Sequence, residues 1–233
     1  MNTNRENSLF KHKIVYDITK FTHVDYPNHL ACIVWFAGCN MRCDYCYNKD
    51  IVLAKSGNYS LHDVLTFLKS RTGMLDGVVL SGGEATNHDL IPLCQEIKRL
   101  GLNIKLDTNG THPKQIQTLC ESNLIDYIAL DYKAPSYKYQ EITKSTQFHE
   151  FSKTLQYLIN SDMNFEVRTT LHSDLMNEND INNIIKDLQS RTYNKRYYIQ
   201  NFLPTDDNIG NLKLPLKQFD KSKLIDGIEV VWR

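Results

Sequence analysis

The sequence predicts an α/β fold built on a parallel sheet. Two observations carry that prediction. Short apolar segments alternate with helical patterns about six times along the 233 residues, which requires parallel strands joined by right-handed crossovers. In addition, the unusual polar motifs stand just after the apolar segments, at the strand ends where parallel sheets bind ligands. The length fits one large domain or two small ones and is ample for a core.

Residues 1–13 read as a polar N-terminal segment, loose at its start, and residues 14–233 as a single domain. Pro27 biases Tyr26 to an extended conformation. The first core strand is Leu30 to Ala37, apolar on both faces as in a covered parallel strand. Gly38 ends it. Ser60 caps a helix, with Asp63 three residues on and Leu61, Val64, Leu65 and Leu68 at helical spacing.

Asp76 to Leu80 is a second strand, running into Ser81-Gly82-Gly83-Glu84. Asn87 or Asp89 can cap the next helix, whose stripe is Leu90, Leu93, Cys94, Ile97 and Leu100. Leu102 to Leu106 is a third strand ending in Asp107-Thr108, and Pro113 starts the following helix. Tyr127 to Leu130 leads to Asp131-Tyr132-Lys133, and 148–160 is helical. Phe165 to Leu171 alternates as a strand, placing Glu166, Arg168 and Thr170 on one face. A helix over 181–188, a strand over 196–202, a short helix over 216–224 and a last strand over 228–232 complete the pattern.

Lys and Arg number 27, as do Asp and Glu, so the net charge is zero. That balance argues against nucleic acid or a membrane surface as partner. No apolar run approaches the roughly 18 residues of a membrane span, and the start does not read as a signal peptide. A cytoplasmic protein is expected. Its six cysteines then fit metal binding or free thiols better than disulfides.

Three of those cysteines, Cys39, Cys43 and Cys46, stand in CxxxCxxC spacing on the loop after the first strand. An iron–sulfur cube normally takes four thiolates, and three leave one iron open for a small molecule. A zinc knuckle would want a fourth Cys or His nearby, and His62 sits in a helical pattern. Cys32, Cys94 and Cys120 fall on apolar stripes and read as core.

The CxxxCxxC spacing, with Tyr45 before the last cysteine and Gly82-Gly83-Glu84 after the second strand, resembles the radical S-adenosylmethionine (SAM) superfamily. The resemblance implies a partial (β/α)6 barrel, a [4Fe–4S] cluster on Cys39, Cys43 and Cys46, and SAM chelated to the open iron. It implies that Tyr45 meets the adenine and that Gly82, Gly83 and Glu84 receive the SAM amino group. Relatives often carry Pro after the Glu; here it is Ala85. Asp107-Thr108 and Asp131-Tyr132-Lys133 resemble motifs of the activases that install glycyl radicals, where a monovalent cation lies beside the SAM carboxylate; Asp107, Thr108 and Asp131 would hold it. Lys133 could instead bind a carboxylate; Arg168 could clamp the SAM carboxylate or the substrate backbone, or make a structural salt bridge; Gln200 is a candidate contact to the adenine or ribose.

Within the superfamily, Asp25-Tyr26-Pro27, Leu106-Asp107-Thr108-Asn109-Gly110, Asp131-Tyr132-Lys133-Ala134-Pro135 and Glu166-Val167-Arg168-Thr169-Thr170 most resemble the activating protein of anaerobic ribonucleoside-triphosphate reductase. That implies a large glycyl-radical subunit as partner and an electron donor such as flavodoxin or ferredoxin. Relatives usually read Cys-His-Asn at the third cysteine, where this chain has Cys46-Tyr47-Asn48. The alternatives are a small-molecule enzyme such as a 7-carboxy-7-deazaguanine synthase, an activase of another glycyl-radical enzyme, and a non-catalytic iron–sulfur or zinc module.

Overall fold

A computed structural model describes residues 10–205 and 207–233. The first nine residues of the expected polar segment lie outside the described residues. The fold is α/β, with mostly parallel strands in an open sheet whose order follows the chain. Two compact units divide it. One holds the residues up to 40, 50–108 and 114–128; the other holds 41–49, 109–113 and 129–233.

In the first unit, β1 (Val15–Thr22) lies antiparallel to β2 (Ala31–Phe36), and β2 lies parallel to β3 (Gly77–Gly82). Strand β3 in turn pairs in parallel with β4 (Asn103–Thr108). Among the described strands, only β1 escapes the sequence pattern. Its side chains are mostly half-exposed or exposed, so it lacks the apolar run that marks the buried strands. After the short helix α1 (Lys49–Leu53), the unit is covered by α2 (Leu61–Lys69), α3 (Ile91–Arg99) and α4 (Pro113–Glu121). Ser60 and Asp63 form the expected capping box on α2. Of the two expected caps, Asp89 serves: its Oδ1 accepts from the Ile91 amide, the first of α3, at 3.1 Å. A single 3-10 turn, Ala85–Asn87, precedes it and is capped by Glu84.

Strand β5 (Tyr127–Asp131) crosses the boundary between the units. The second unit continues with α5 (Ser136–Thr143), α6 (Phe148–Ile159), β6 (Phe165–Leu171), α7 (Glu178–Ser190), β7 (Tyr197–Asn201) and β8 (Val230–Trp232). Strands β6, β7 and β8 pair in parallel. The core beneath them includes Tyr132, Tyr139 and Phe151, with the Tyr132 and Phe151 rings edge-on at 4.7 Å. The short helix expected over 216–224 is reduced to a 3-10 turn, Lys221–Lys223. Leu216 is 92% exposed, so the segment has no apolar stripe to dock, and an undocked turn or two of helix does not hold in water.

Candidate active site

The first unit carries Cys39, Gly82, Gly83, Glu84, Asp107 and Thr108. Gly38 lets the chain leave β2 through φ 83°, opening the cysteine loop. The two glycines after β3 serve a contact that the sequence did not disclose. A β-carbon on Gly82 would lie 2.3 Å from the Phe36 nitrogen, and one on Gly83 would lie 2.0 Å from the Gly38 oxygen. The Gly83 and Glu84 amides donate to Phe36 O and Gly38 O, each at 2.9 Å. The glycine pair therefore seats the β3 corner on the backbone from which the cysteine loop springs.

Glu84 is buried, and its carboxylate is oriented from two sides. Its Oε1 accepts the Thr86 hydroxyl at 2.6 Å, the Thr86 amide at 3.2 Å and the Thr108 hydroxyl at 2.7 Å. The structure thus joins Glu84 and Thr108, predicted separately. Thr86 was missed, although a Thr two residues after an acid that ends a strand is a recognisable turn signal. Gln115 of α4 completes the corner: its amide nitrogen donates to Thr86 O at 2.8 Å, and its Oε1 accepts from the Leu90 amide at 3.0 Å. Asp107 meets the buried Lys105 at 2.5 Å and the Ser81 hydroxyl at 3.3 Å. Lys105 was also missed; strand alternation puts it on the face of Asp107.

The second unit carries Cys43, Tyr45, Cys46, Asp131, Lys133, Arg168 and Gln200. Asp131 is clasped between Arg168 Nε at 2.5 Å and Lys133 Nζ at 2.9 Å. Burial pushes the Asp131 carboxyl up, but Arg168 and then Lys133 outweigh it and hold the pKa at about 2. For Lys133 the burial that would lower its pKa is overcome by Asp131, and it stays well above the usual lysine range. Tyr45 donates to Lys133 O at 3.2 Å, and burial drives its phenol well up, so it stays protonated. On the same face of β6, Glu166 takes a two-pronged bond from Arg233, both contacts at 3.0 Å. The Arg233 guanidinium lies 3.6 Å from the Tyr198 ring centre. Gln200 is half-buried and opposite Thr170 across β6 and β7.

All six cysteines are free thiols. Burial pushes Cys32 and Cys94 up to about 12, so neither supplies a thiolate at neutral pH. Cys120 is buried as well. The expected core thiols are thereby set apart from Cys39, Cys43 and Cys46, which share one loop. Three free thiols on one short loop are a donor set suited to an iron–sulfur cube. Among the described residues, no three His, Cys, Asp or Glu side chains converge on a single ion.

The profile of the radical SAM superfamily matches residues 33–188, which takes in the cysteine loop and every strand end from β2 to β6. The chain belongs to the radical SAM superfamily. Membership implies a [4Fe–4S] cluster and SAM.

A Methanocaldococcus jannaschii protein, MJ1227, provisionally named a glycyl-radical enzyme activating enzyme, is 32% identical over 200 residues, covering 83% of this chain and 81% of that protein. Escherichia coli pyruvate formate-lyase 1-activating enzyme is 28% identical, over 62% of each chain. A Synechocystis 7-carboxy-7-deazaguanine synthase is 27% identical, over 58% of this chain and 59% of its own. The fold is shared with Streptococcus suis SuiB, at TM-score 0.63 and 14% identity, over 84% of this chain and 47% of that one. It is shared also with anSMEcpe with bound AdoMet, at TM-score 0.59 and 18% identity, over 72% and 49%. This chain thus spans about half the length of those two solved proteins. Among the described residues, no helix is long and apolar enough to cross a membrane.

Proposed function

We propose that this chain is a glycyl-radical enzyme activase, with anaerobic ribonucleoside-triphosphate reductase as its target. The observation that carries this reading is the similarity to a named activating enzyme over most of both chains. The acidic motifs at the ends of β4 and β5 add to it, because they are the motifs by which the sequence resembles activases.

Cys39, Cys43 and Cys46 would hold the cluster and leave its fourth iron to SAM. When bound, the cluster supplies the one electron that splits SAM into methionine and a 5′-deoxyadenosyl radical. The protein's share is to bind, orient and exclude water. Glu84, aimed by Thr86 and Thr108, would accept from the SAM amino group. Tyr45 offers a buried aromatic face for the adenine, with Gln200 a further contact to the nucleoside. Arg168 and Lys133 would meet the SAM carboxylate only by dividing their contacts between it and Asp131. A monovalent cation on Asp107, Thr108 and Asp131 faces the same competition, since Lys105 already neutralises Asp107. The deoxyadenosyl radical would take a Cα hydrogen from a glycine of the large reductase subunit, leaving a glycyl radical. We place this activity on a single domain spanning residues 14–233, in the cytoplasm, fed by a flavodoxin or ferredoxin.

The test is anaerobic EPR of the reconstituted, reduced protein with SAM and the reductase of the same host. A glycyl doublet that needs every component is expected. If 5′-deoxyadenosine forms without a doublet, the chemistry stands and the target is wrong. The similarity to 7-carboxy-7-deazaguanine synthase favours a small-molecule substrate in that case. If iron binds but no 5′-deoxyadenosine forms, the enzymatic reading fails and a non-catalytic iron–sulfur module takes its place.

A further inference from the structure

The segment from Arg42 to Cys46 is gripped from two sides within the second unit. On one side, the last turn of α5 takes up its amides: Arg42 N donates to Thr143 O at 2.9 Å, and Asp44 N to Ile142 O at 3.0 Å. On the other side, the chain after β7 addresses its carbonyls: Ile209 N donates to Cys46 O at 3.0 Å, and Gly210 N to Asp44 O at 2.8 Å. Asp44 therefore has both backbone groups bound, and its carboxylate pairs with Lys144 at 2.9 Å.

The grip after β7 is a built feature rather than a passing loop. Asn208 is 1% exposed and closes the segment on itself. Its amide nitrogen donates to Thr205 O at 3.1 Å and Leu212 O at 2.8 Å, and its Oδ1 accepts from Leu212 N at 2.7 Å. Lys49, just past the cysteine loop, pairs with Asp207 at 2.6 Å. Position 210 admits no side chain here: a β-carbon would lie 2.7 Å from Asp44 O and 2.8 Å from Asp44 Cβ.

We propose that residues 207–212 form a clamp that holds Cys43 and Cys46 in position for the cluster, with Gly210 and Asn208 as positioning residues. Ligands set in place before the metal arrives bind more tightly, and the groups that orient them matter nearly as much as the ligands. The inference rests on the reading that Cys43 and Cys46 are cluster ligands.

The experiment uses the full chain and separates the two claims. In the metal-free protein, Gly210→Ala is expected to raise amide deuterium exchange about fivefold in the peptides covering 41–47 and 207–212, the loss of protection that a local weakening of this size gives. In the reconstituted protein, the same variant is expected to lose iron to a chelator several-fold faster than the wild type. Wild-type exchange over 41–47 overturns the clamp. Faster exchange with unchanged iron retention overturns the positioning role. Asn208→Asp keeps the acceptor and removes both donated bonds, and it serves if Gly210→Ala does not fold. Cys43→Ala, measured alongside, tests the underlying reading: full iron content in that variant refutes the ligand assignment and leaves the exchange result standing.

Discussion

Two strand-end carboxylates, one in each unit, are held by different chemistry: Glu84 is buried and Asp131 half-buried. Glu84 is oriented by two hydroxyls and an amide. Asp131 is held by two cations, Arg168 and Lys133. Neutral donors fix the direction of a carboxylate without cancelling its charge, whereas cations cancel it. The first arrangement suits a group that must attract the ammonium of an incoming ligand. The second suits a structural joint, or a site that exchanges one anion for another. The sequence treats both acids alike, as strand-end carboxylates.

The sharpest way to break this contrast is to neutralise each acid in turn. Asp131→Asn removes the anion that Arg168 and Lys133 share in this cluster, which should cost about 3 kcal/mol. Tm should then fall by roughly 6–12 °C, as read by calorimetry. Glu84→Gln should keep Tm near the wild type but weaken SAM binding about thirtyfold, the size of a lost bond to a charged group. Titration calorimetry on the reconstituted protein checks it. If instead Glu84→Gln unfolds the chain while Asp131→Asn does not, the contrast is reversed.

Acid titration sharpens the same contrast. The Asp131 pKa is lowered to about 2 from an ordinary 3.8. Its ionised form is thus favoured by folding, and the stability it contributes is fully present above pH 3.8. That contribution should drain away as pH falls from about 4 towards 2, and Asp131→Asn should lack this part of the acid transition. Denaturant midpoints at a series of pH values provide the measurement.

The smallest expected effect belongs to the hydroxyl that aims Glu84. Thr86→Val should weaken SAM binding about tenfold, and Thr86→Ser should restore it. An equal loss in both variants would mean that the Thr86 methyl, not its hydroxyl, shapes the corner.

How much of this was legible depends on sequence distance. The capping box at Ser60 and Asp63 and the strands β2 to β8 follow from local pattern, and each is found. Strand β1 was missed because it pairs antiparallel and is half-exposed, so no apolar run advertises it. The Lys105–Asp107 pair was readable in principle, since residues two apart on a strand share a face. The Arg168–Asp131 pair spans 37 positions, and the grip of Gly210 on Asp44 joins segments far apart in the chain; neither has a local signature.

By itself, then, the sequence determined the chemistry on offer: three cysteines on one loop, a glycine pair before Glu84, and acids at the ends of parallel strands. These are short-range spacings, set by strand and turn geometry. Only the tertiary structure decided which charges pair, which carboxylate is aimed by hydroxyls, and what holds the cysteine loop. Those outcomes depend on strand register and on loops that are distant in sequence and meet only in the folded chain.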